Sequence, residues 1–224
     1  MEGCFWADVL ERSFRYCFHR KTDLRILTGR RAVMPRTKEF DPEVVLEQAM
    51  ELFWENGFEA TSAQDLVDRT GLNRSSLYNT FGSKQELYLR ALDHYRQQGA
   101  NAFEHLSDQF DSAREAIRYL LEDATPATED DTRGCFLASA TVERAHCDDQ
   151  TRERVRKSFD QMRDGFEALV EHGQTQGEFP EDRDPEAVAH SLANTYFGMQ
   201  MMAKLGLPMA VFEDVVEEAL QGLE

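Results

Sequence analysis

An all-α fold is predicted by three features of the 224-residue chain. Apolar residues recur at helical spacing from residue 41 onward, proline and glycine stand where helices would start and stop, and no stretch combines apolar–polar alternation with β-branched enrichment. Hydrophobic residues make up 41% of the chain, enough to bury a core and to exclude wholesale disorder. No run approaches the roughly 18 consecutive apolar residues that a membrane-spanning helix needs. No charged, apolar, then small-residue leader is visible.

The elements follow in order. Residues 1–33 carry seven bases and four acids with no sustained helical period, and Met34 precedes a short basic lead-in. They are expected to be an unordered or mis-assigned extension, with a packed or DNA-following arm as the alternative. Asp41-Pro42 supplies an N-cap and an N1 proline for a first helix carrying Val45, Ala49, Leu52 and Phe53, stopped at Gly57. Thr61-Ser62 opens a second helix that Gly71 closes, and Asn73–Thr80 forms a short third one. Ser83-Lys84-Gln85-Glu86 is a capping box, and a long helix follows towards Leu106. Further helices are expected near 111–124, 134–147, 150–176, 185–205 and 208–222, the fourth opened by Asp184-Pro185 and the last by Pro208.

The four cysteines (Cys4, Cys17, Cys135, Cys147) are sparse and lack zinc-ligand spacing, as in a reduced, cytoplasmic protein. His146-Cys147-Asp148-Asp149 has no second ligand pair at fitting distance, so no metal and no cofactor are expected. Scattered Ser, His and Asp residues form no nucleophile elbow, phosphate loop or metal-helix motif, and an enzyme is not expected.

The net charge of −17 looks wrong for a nucleic-acid partner until its distribution is read. Residues 101–224 hold 27 acidic against 11 basic residues, whereas 61–84 hold Asp65 and Asp68 against Arg69, Arg74 and Lys84. The acidity therefore lies away from the one segment suited to phosphate and would repel DNA elsewhere. A non-specific architectural DNA protein would be basic overall.

That segment, residues 62–80, has the pattern of a helix-turn-helix. Two short helices meet at Gly71, where positive φ costs glycine least. Leu66, Val67, Leu72, Leu77 and Phe81 can face the first helix, which leaves Arg74, Ser75, Ser76, Tyr78 and Asn79 pointing outward. Such hydrogen-bonding side chains with almost no competing negative charge suit base edges and phosphates. Asn73 reads equally as a helix cap or a DNA contact, and Arg69 as an ion-pair partner of Asp65 one turn back.

Residues 38–95 resemble the TetR family of repressors. The resemblance rests on Ala49, Leu52, Phe53, Gly57-Phe58, Thr61-Ser62, Leu66, Gly71, Leu77-Tyr78, Phe81 and Ser83-Lys84. Thr80 departs from the aromatic or histidine common there. The resemblance implies phosphate contacts by Ser62, Tyr78 and Lys84. Chemistry favours Arg74 on guanine and Gln64 on adenine, with Ser75, Ser76 and Asn79 as further contacts. It further implies a DNA-binding domain over 34–83, an effector-binding and dimerisation domain over 84–224, and a homodimer through helices near 150–176 and 185–205. The last of these holds Val188, Leu192, Tyr196, Phe197 and Met201 beside small Ser191, Ala193 and Gly198.

Phe103, Tyr119, Phe136, Phe159, Met162, Phe166, Tyr196 and Met199 are the candidate lining of an effector pocket, with plain core packing as the alternative. Gly134-Cys135-Phe136-Leu137 resembles a signature of one family branch in which some members sense electrophiles or oxidants through the cysteine. A thiol at a helix N-terminus can have its pKa lowered, so Cys135 is the candidate redox sensor, with structural packing as the rival. The expected function is a repressor of operator DNA released by a small-molecule effector, with an activator on the same scaffold as the alternative.

Overall fold

The computed structural model describes residues 40–103, 109–128 and 130–224, with the side chains of 100–103 outside the description. The extension at 1–33, Cys4, Cys17 and the side chain of Phe103 lie outside the described residues. Within them the chain is helical throughout: α1 Pro42–Asn56, α2 Ala63–Thr70, α3 Arg74–Phe81, α4 Lys84–Phe103, α5 Ala113–Asp123, α6 Phe136–Glu143, α7 Asp149–Thr175, α8 Pro185–Met202 and α9 Met209–Gln221.

Side chains that satisfy free amides set the starts. Asp41 caps α1 and Asp184 caps α8, each with proline in the first turn. Ser62 and Asp65 form a reciprocal capping box on α2, Asn73 caps α3, and Asp148 caps α7. The Ser83–Glu86 box closes as the sequence predicts: the Ser83 amide donates to Glu86 Oε2 at 2.7 Å and the Glu86 amide to Ser83 Oγ at 3.2 Å.

Two expected boundaries shift. The helix expected over 134–147 covers only Phe136–Glu143, because Arg144 leaves helical geometry and 144–147 form turns that end on the Asp148 cap. The helix expected to reach 205 ends at Met202 and finishes as a 3₁₀ turn over Ala203–Leu205, stopped by left-handed Gly206.

The buried side chains form two clusters. One joins Phe53 of α1, Leu66 of α2, Leu77 of α3 and Tyr88 of α4 to Phe136 and Ala140 of α6 and Val155 of α7. The other joins Ile117 and Leu120 of α5, Phe166 of α7, Tyr196 of α8 and Phe212 of α9. The short helix α6 thus packs with the N-terminal helices although it lies far along the chain. At eight residues, α2 and α3 fall below the roughly 12–15 at which isolated helices become even marginal. They persist because Leu66 and Leu77 are fully buried, each worth about 1.5–3 kcal/mol relative to exposure.

Candidate DNA-binding interface

The turn between α2 and α3 is built on Gly71, whose φ of 68° lies in the left-handed region and whose amide closes α2 on the Val67 carbonyl. Leu72 is buried directly after it, and Leu77 and Phe81 follow on the inward face of α3. Arg74, Ser75 and Asn79 are exposed, while Ser76 and Tyr78 are half-buried. The amphipathic division read from the sequence therefore holds, with Val67 only half-buried and Tyr78 packed at the cluster's edge rather than fully outward.

Each expected contact residue has a defined local setting. Ser62 is exposed, and its oxygen accepts the Asp65 amide at 3.2 Å, so its hydroxyl proton stays free to donate. Gln64 is exposed, with its amide on Asp68 at 2.8 Å, a surface bond that must open before the side chain can meet a base. The Arg74 guanidinium lies 5.8 Å from the centroid of the Tyr78 ring. Asn73 is a cap, its Oδ1 accepting the Ser76 amide at 2.8 Å. Thr80, the departure from the family pattern, donates to the Ser76 carbonyl at 3.0 Å.

One expectation is corrected. Arg69 does not pair with Asp65. It crosses to α1, where Glu55 accepts at 2.5 Å and Glu51 lies 3.8 Å away, because Asp65 is committed to the Ser62 capping box. Lys84, expected to meet phosphate from the start of the fourth helix, opens α4. Its Nζ sits 4.3 Å from the centroid of the Phe58 ring, half-buried, and this desolvation lowers its pKa from the ordinary lysine value.

Comparison with known proteins decides the family. Residues 45–91 match the model of bacterial regulatory proteins of the tetR family, and residues 113–217 match that of the tetracyclin repressor-like C-terminal domain. The chain belongs to the TetR family. It is 32% identical over 194 residues to the HTH-type transcriptional regulator YezE of Bacillus subtilis (strain 168), covering 85% of this chain and 100% of that protein. It is 30% identical over 174 residues to the HTH-type transcriptional repressor ComR of Escherichia coli (strain K12), covering 76% of this chain and 83% of that one. A cysteine mutant of the TetR family regulator CifR, solved in complex with 26-bp double-strand operator DNA, superposes with a TM-score of 0.73 at 28% identity over 84% of this chain and 100% of that one. The chain is thus an HTH-type transcriptional regulator of the DNA-binding kind.

The TetR-type C-terminal domain gathers some of the expected effector residues and separates others. Phe166 and Met199 are buried in the α5–α7–α8–α9 cluster with Tyr196, while Tyr119, Phe159 and Met162 pack against it half-buried. Phe136 belongs to the other cluster, edge-on to Tyr88 at 5.7 Å and to Tyr95 at 5.8 Å. Tyr196 donates to Asp123 at 3.4 Å. The apolar face of α8 also differs from expectation: Val188, Leu192, Ala193 and Tyr196 are buried within the protomer, and the exposed face is made of small or polar Ala187, Ser191, Asn194 and Gly198.

Cys135 is the N-cap of α6, its Sγ accepting the Ala138 amide at 3.5 Å. Burial pushes its pKa up, against the amide bonds and the Tyr95 hydroxyl that favour thiolate. The lowered pKa expected from the helix field is therefore not realised, because desolvation outweighs it. Cys147 is exposed and lies beyond the end of α6, so the two are not on one continuous helix.

Among the described residues no three His, Cys, Asp or Glu side chains stand where they could hold a metal, and no helix is long and apolar enough to cross a membrane. Sequence reasoning missed Glu143 and Arg144, which meet Phe58 and Glu59 across some 85 positions and leave no local signal.

Proposed function

We propose that this TetR-family regulator is a homodimeric repressor that grips operator DNA with α2 and α3 and releases it when a small molecule occupies the C-terminal domain. The observation that carries the reading is the division of α3: Leu77 and Phe81 anchor it, and Arg74, Ser75 and Asn79 are left exposed on a segment nearly free of acidic charge. Arg74 forks onto guanine, Gln64 reads adenine after leaving Asp68, and Ser62, Tyr78 and Lys84 meet phosphates. The operator-bound CifR complex, similar over most of the chain, supports binding to operator DNA.

Dimerisation runs through α7 and the exposed face of α8. A Cβ built at Gly198 meets nothing within 4 Å, so a partner helix could approach closely there. Two heads must sit about one DNA turn apart to enter successive major grooves. An effector among Tyr119, Phe159, Met162, Phe166, Tyr196 and Met199 that favours a different spacing lowers affinity by its differential binding to the two states. Phe136, in the other cluster, is left out of this set. The regulator works in the cytoplasm, with its DNA.

The test is selection of duplexes from a random library by the full chain, followed by a reporter carrying the selected site upstream of a promoter. Enrichment of a palindromic site and lower reporter output with the protein present support the reading. Higher output makes it an activator, and failure to enrich any sequence overturns the assignment of the interface.

A further inference from the structure

The last turn of α6 reaches the DNA-binding head without passing along α4. The two carboxylate oxygens of Glu143 accept adjacent amides in the turn between α1 and α2: Phe58 at 3.0 Å and Glu59 at 2.9 Å. Arg144 lies 4.2 Å from the Phe58 ring centroid, donates to Glu59 at 2.7 Å and to Gln85 at 3.0 Å, and approaches Asp148 at 3.9 Å. Gln85 in turn donates to Asp148 at 2.7 Å. Gly57 makes room for the arrangement. Its φ is 81°, and a Cβ there would stand 2.9 Å from both Glu143 oxygens.

Phe58 is shared: Arg144 and Lys84 both lie over its ring, and Lys84 opens α4 immediately after the helix-turn-helix. Whatever fixes Phe58 therefore fixes Lys84. The opposite end of α6 carries Cys135 and Phe136, the Phe136 ring stands edge-on to Tyr95 at 5.8 Å, and α6 also packs against α7 and α8 of the C-terminal domain. Eight helical residues span about 12 Å, which places one end of α6 at the α1–α2 turn and the other beside Tyr95.

We infer that Glu143 and Arg144 are positioning residues for DNA binding: as a clasp on the α1–α2 turn they hold Phe58, and through it Lys84, so that displacement of α6 in the C-terminal domain is delivered directly to a phosphate contact. The clasp rests on the proposed function in taking Lys84 as a phosphate contact. It gives the C-terminal domain a route to the DNA-binding head that does not run along α4 and assigns it to two residues. The bidentate acceptor is what makes it a clasp: one carboxylate fixes two successive peptide groups, so rotation of the turn must break both bonds.

A double-mutant cycle tests it, using the duplex enriched by the wild-type full chain and varying salt. Glu143→Ala is expected to weaken binding at least fivefold and to flatten the slope of log K against log salt by about 0.9 per subunit, as loss of one phosphate contact does. In a Lys84→Ala background the same change is expected to cost less than twofold. Hydrogen exchange is expected to show the Phe58 and Glu59 amides deprotected while those of Leu66 and Leu77 are retained. Should Glu143→Ala lose core protection as well, Glu143→Gln, which keeps chain length and one acceptor oxygen, is expected to act in the same direction with a smaller effect. Val142→Ala, one position away on an exposed side chain, should match wild type.

Full additivity with Lys84→Ala, or an unchanged salt slope, would overturn the clasp. So would unaltered exchange at Phe58 and Glu59. Because exchange is read without DNA, a failure of duplex enrichment sinks the DNA assignment and leaves the clasp's own bonds separately measured.

Discussion

His94 on α4 holds Glu47 on α1 at 2.7 Å, and this pair ties the long helix to the first helix of the head. The Gln98 side chain joins it, with its amide 3.3 Å from the same carboxylate oxygen. The hydrogen bond to Glu47 raises the His94 pKa above the ordinary histidine value, against the opposing effect of burial. A group whose pKa is higher folded than unfolded stabilises the fold fully below the unfolded value, about 6.5, and loses that contribution as pH rises through the folded value. His94→Gln is therefore expected to lower the melting temperature near pH 6 and to converge with wild type by about pH 9. Both side chains are partly exposed, so the gap should be worth roughly 0.5–1 kcal/mol at most. Thermal unfolding of the two proteins across that range checks it, and a gap that widens with pH would contradict the assignment.

Arg74 and Leu77 lie one turn apart on α3 and should separate binding from stability. Arg74 is exposed, so Arg74→Ala is expected to leave unfolding within about 0.5 kcal/mol of wild type. If it forks onto guanine, the same change should cost about 1–3 kcal/mol of discrimination for the selected duplex over random DNA. Leu77 is fully buried, and Leu77→Ala is expected to cost about 2–5 kcal/mol in denaturant unfolding. Competition binding together with urea titration measures both. Unchanged duplex affinity in Arg74→Ala would remove α3 as the reading helix.

The two caps that flank the turn between α2 and α3 give a graded pair. Asn73 is exposed and its Oδ1 holds the Ser76 amide, so Asn73→Ala should cost about 0.5–2 kcal/mol through the cap alone. Gly71→Ala meets nothing within 4 Å, which leaves only the left-handed backbone to penalise it, by about 1–2 kcal/mol. If Gly71→Ala cost much more than this in urea titration, contacts of Gly71 would have to be invoked that the fold does not contain.

The head was legible because its signals are local. Asp41-Pro42, Ser62, Gly71 and Ser83–Glu86 each report a helix end within four residues, and the period of Leu66, Leu77 and Phe81 reports a face. What escaped was long-range. Arg69 had an acid one turn away, yet capping took Asp65 and the pairing went to Glu55 on another helix. The apolar face of α8 was readable, but whether Leu192 and Tyr196 meet a partner or their own protomer depends on where α5, α7 and α9 lie, which helical period does not encode. The Glu143 bonds to the α1–α2 turn carry no sequence signature of any kind.

Cys135 shows how placement can reverse a local inference. A helix N-terminus stabilises thiolate, yet full burial raises the thiol's pKa instead, so the neutral form dominates at physiological pH. The thiolate is the nucleophile, and alkylation in the native protein is limited by both its scarcity and the side chain's 4% exposure. Cys147 lies on an exposed turn, where access is open. Native protein treated with iodoacetamide at pH 8 is expected to carry label on the Cys147 peptide within minutes, while the Cys135 peptide remains largely unlabelled until denaturant is added. Raising pH to 9 should leave Cys135 slow, because access limits it. Peptide mapping by mass spectrometry reads each site separately. Rapid native labelling of Cys135 would mean that the packing around Tyr95 opens readily, and would restore a direct chemical-sensing role for this cysteine.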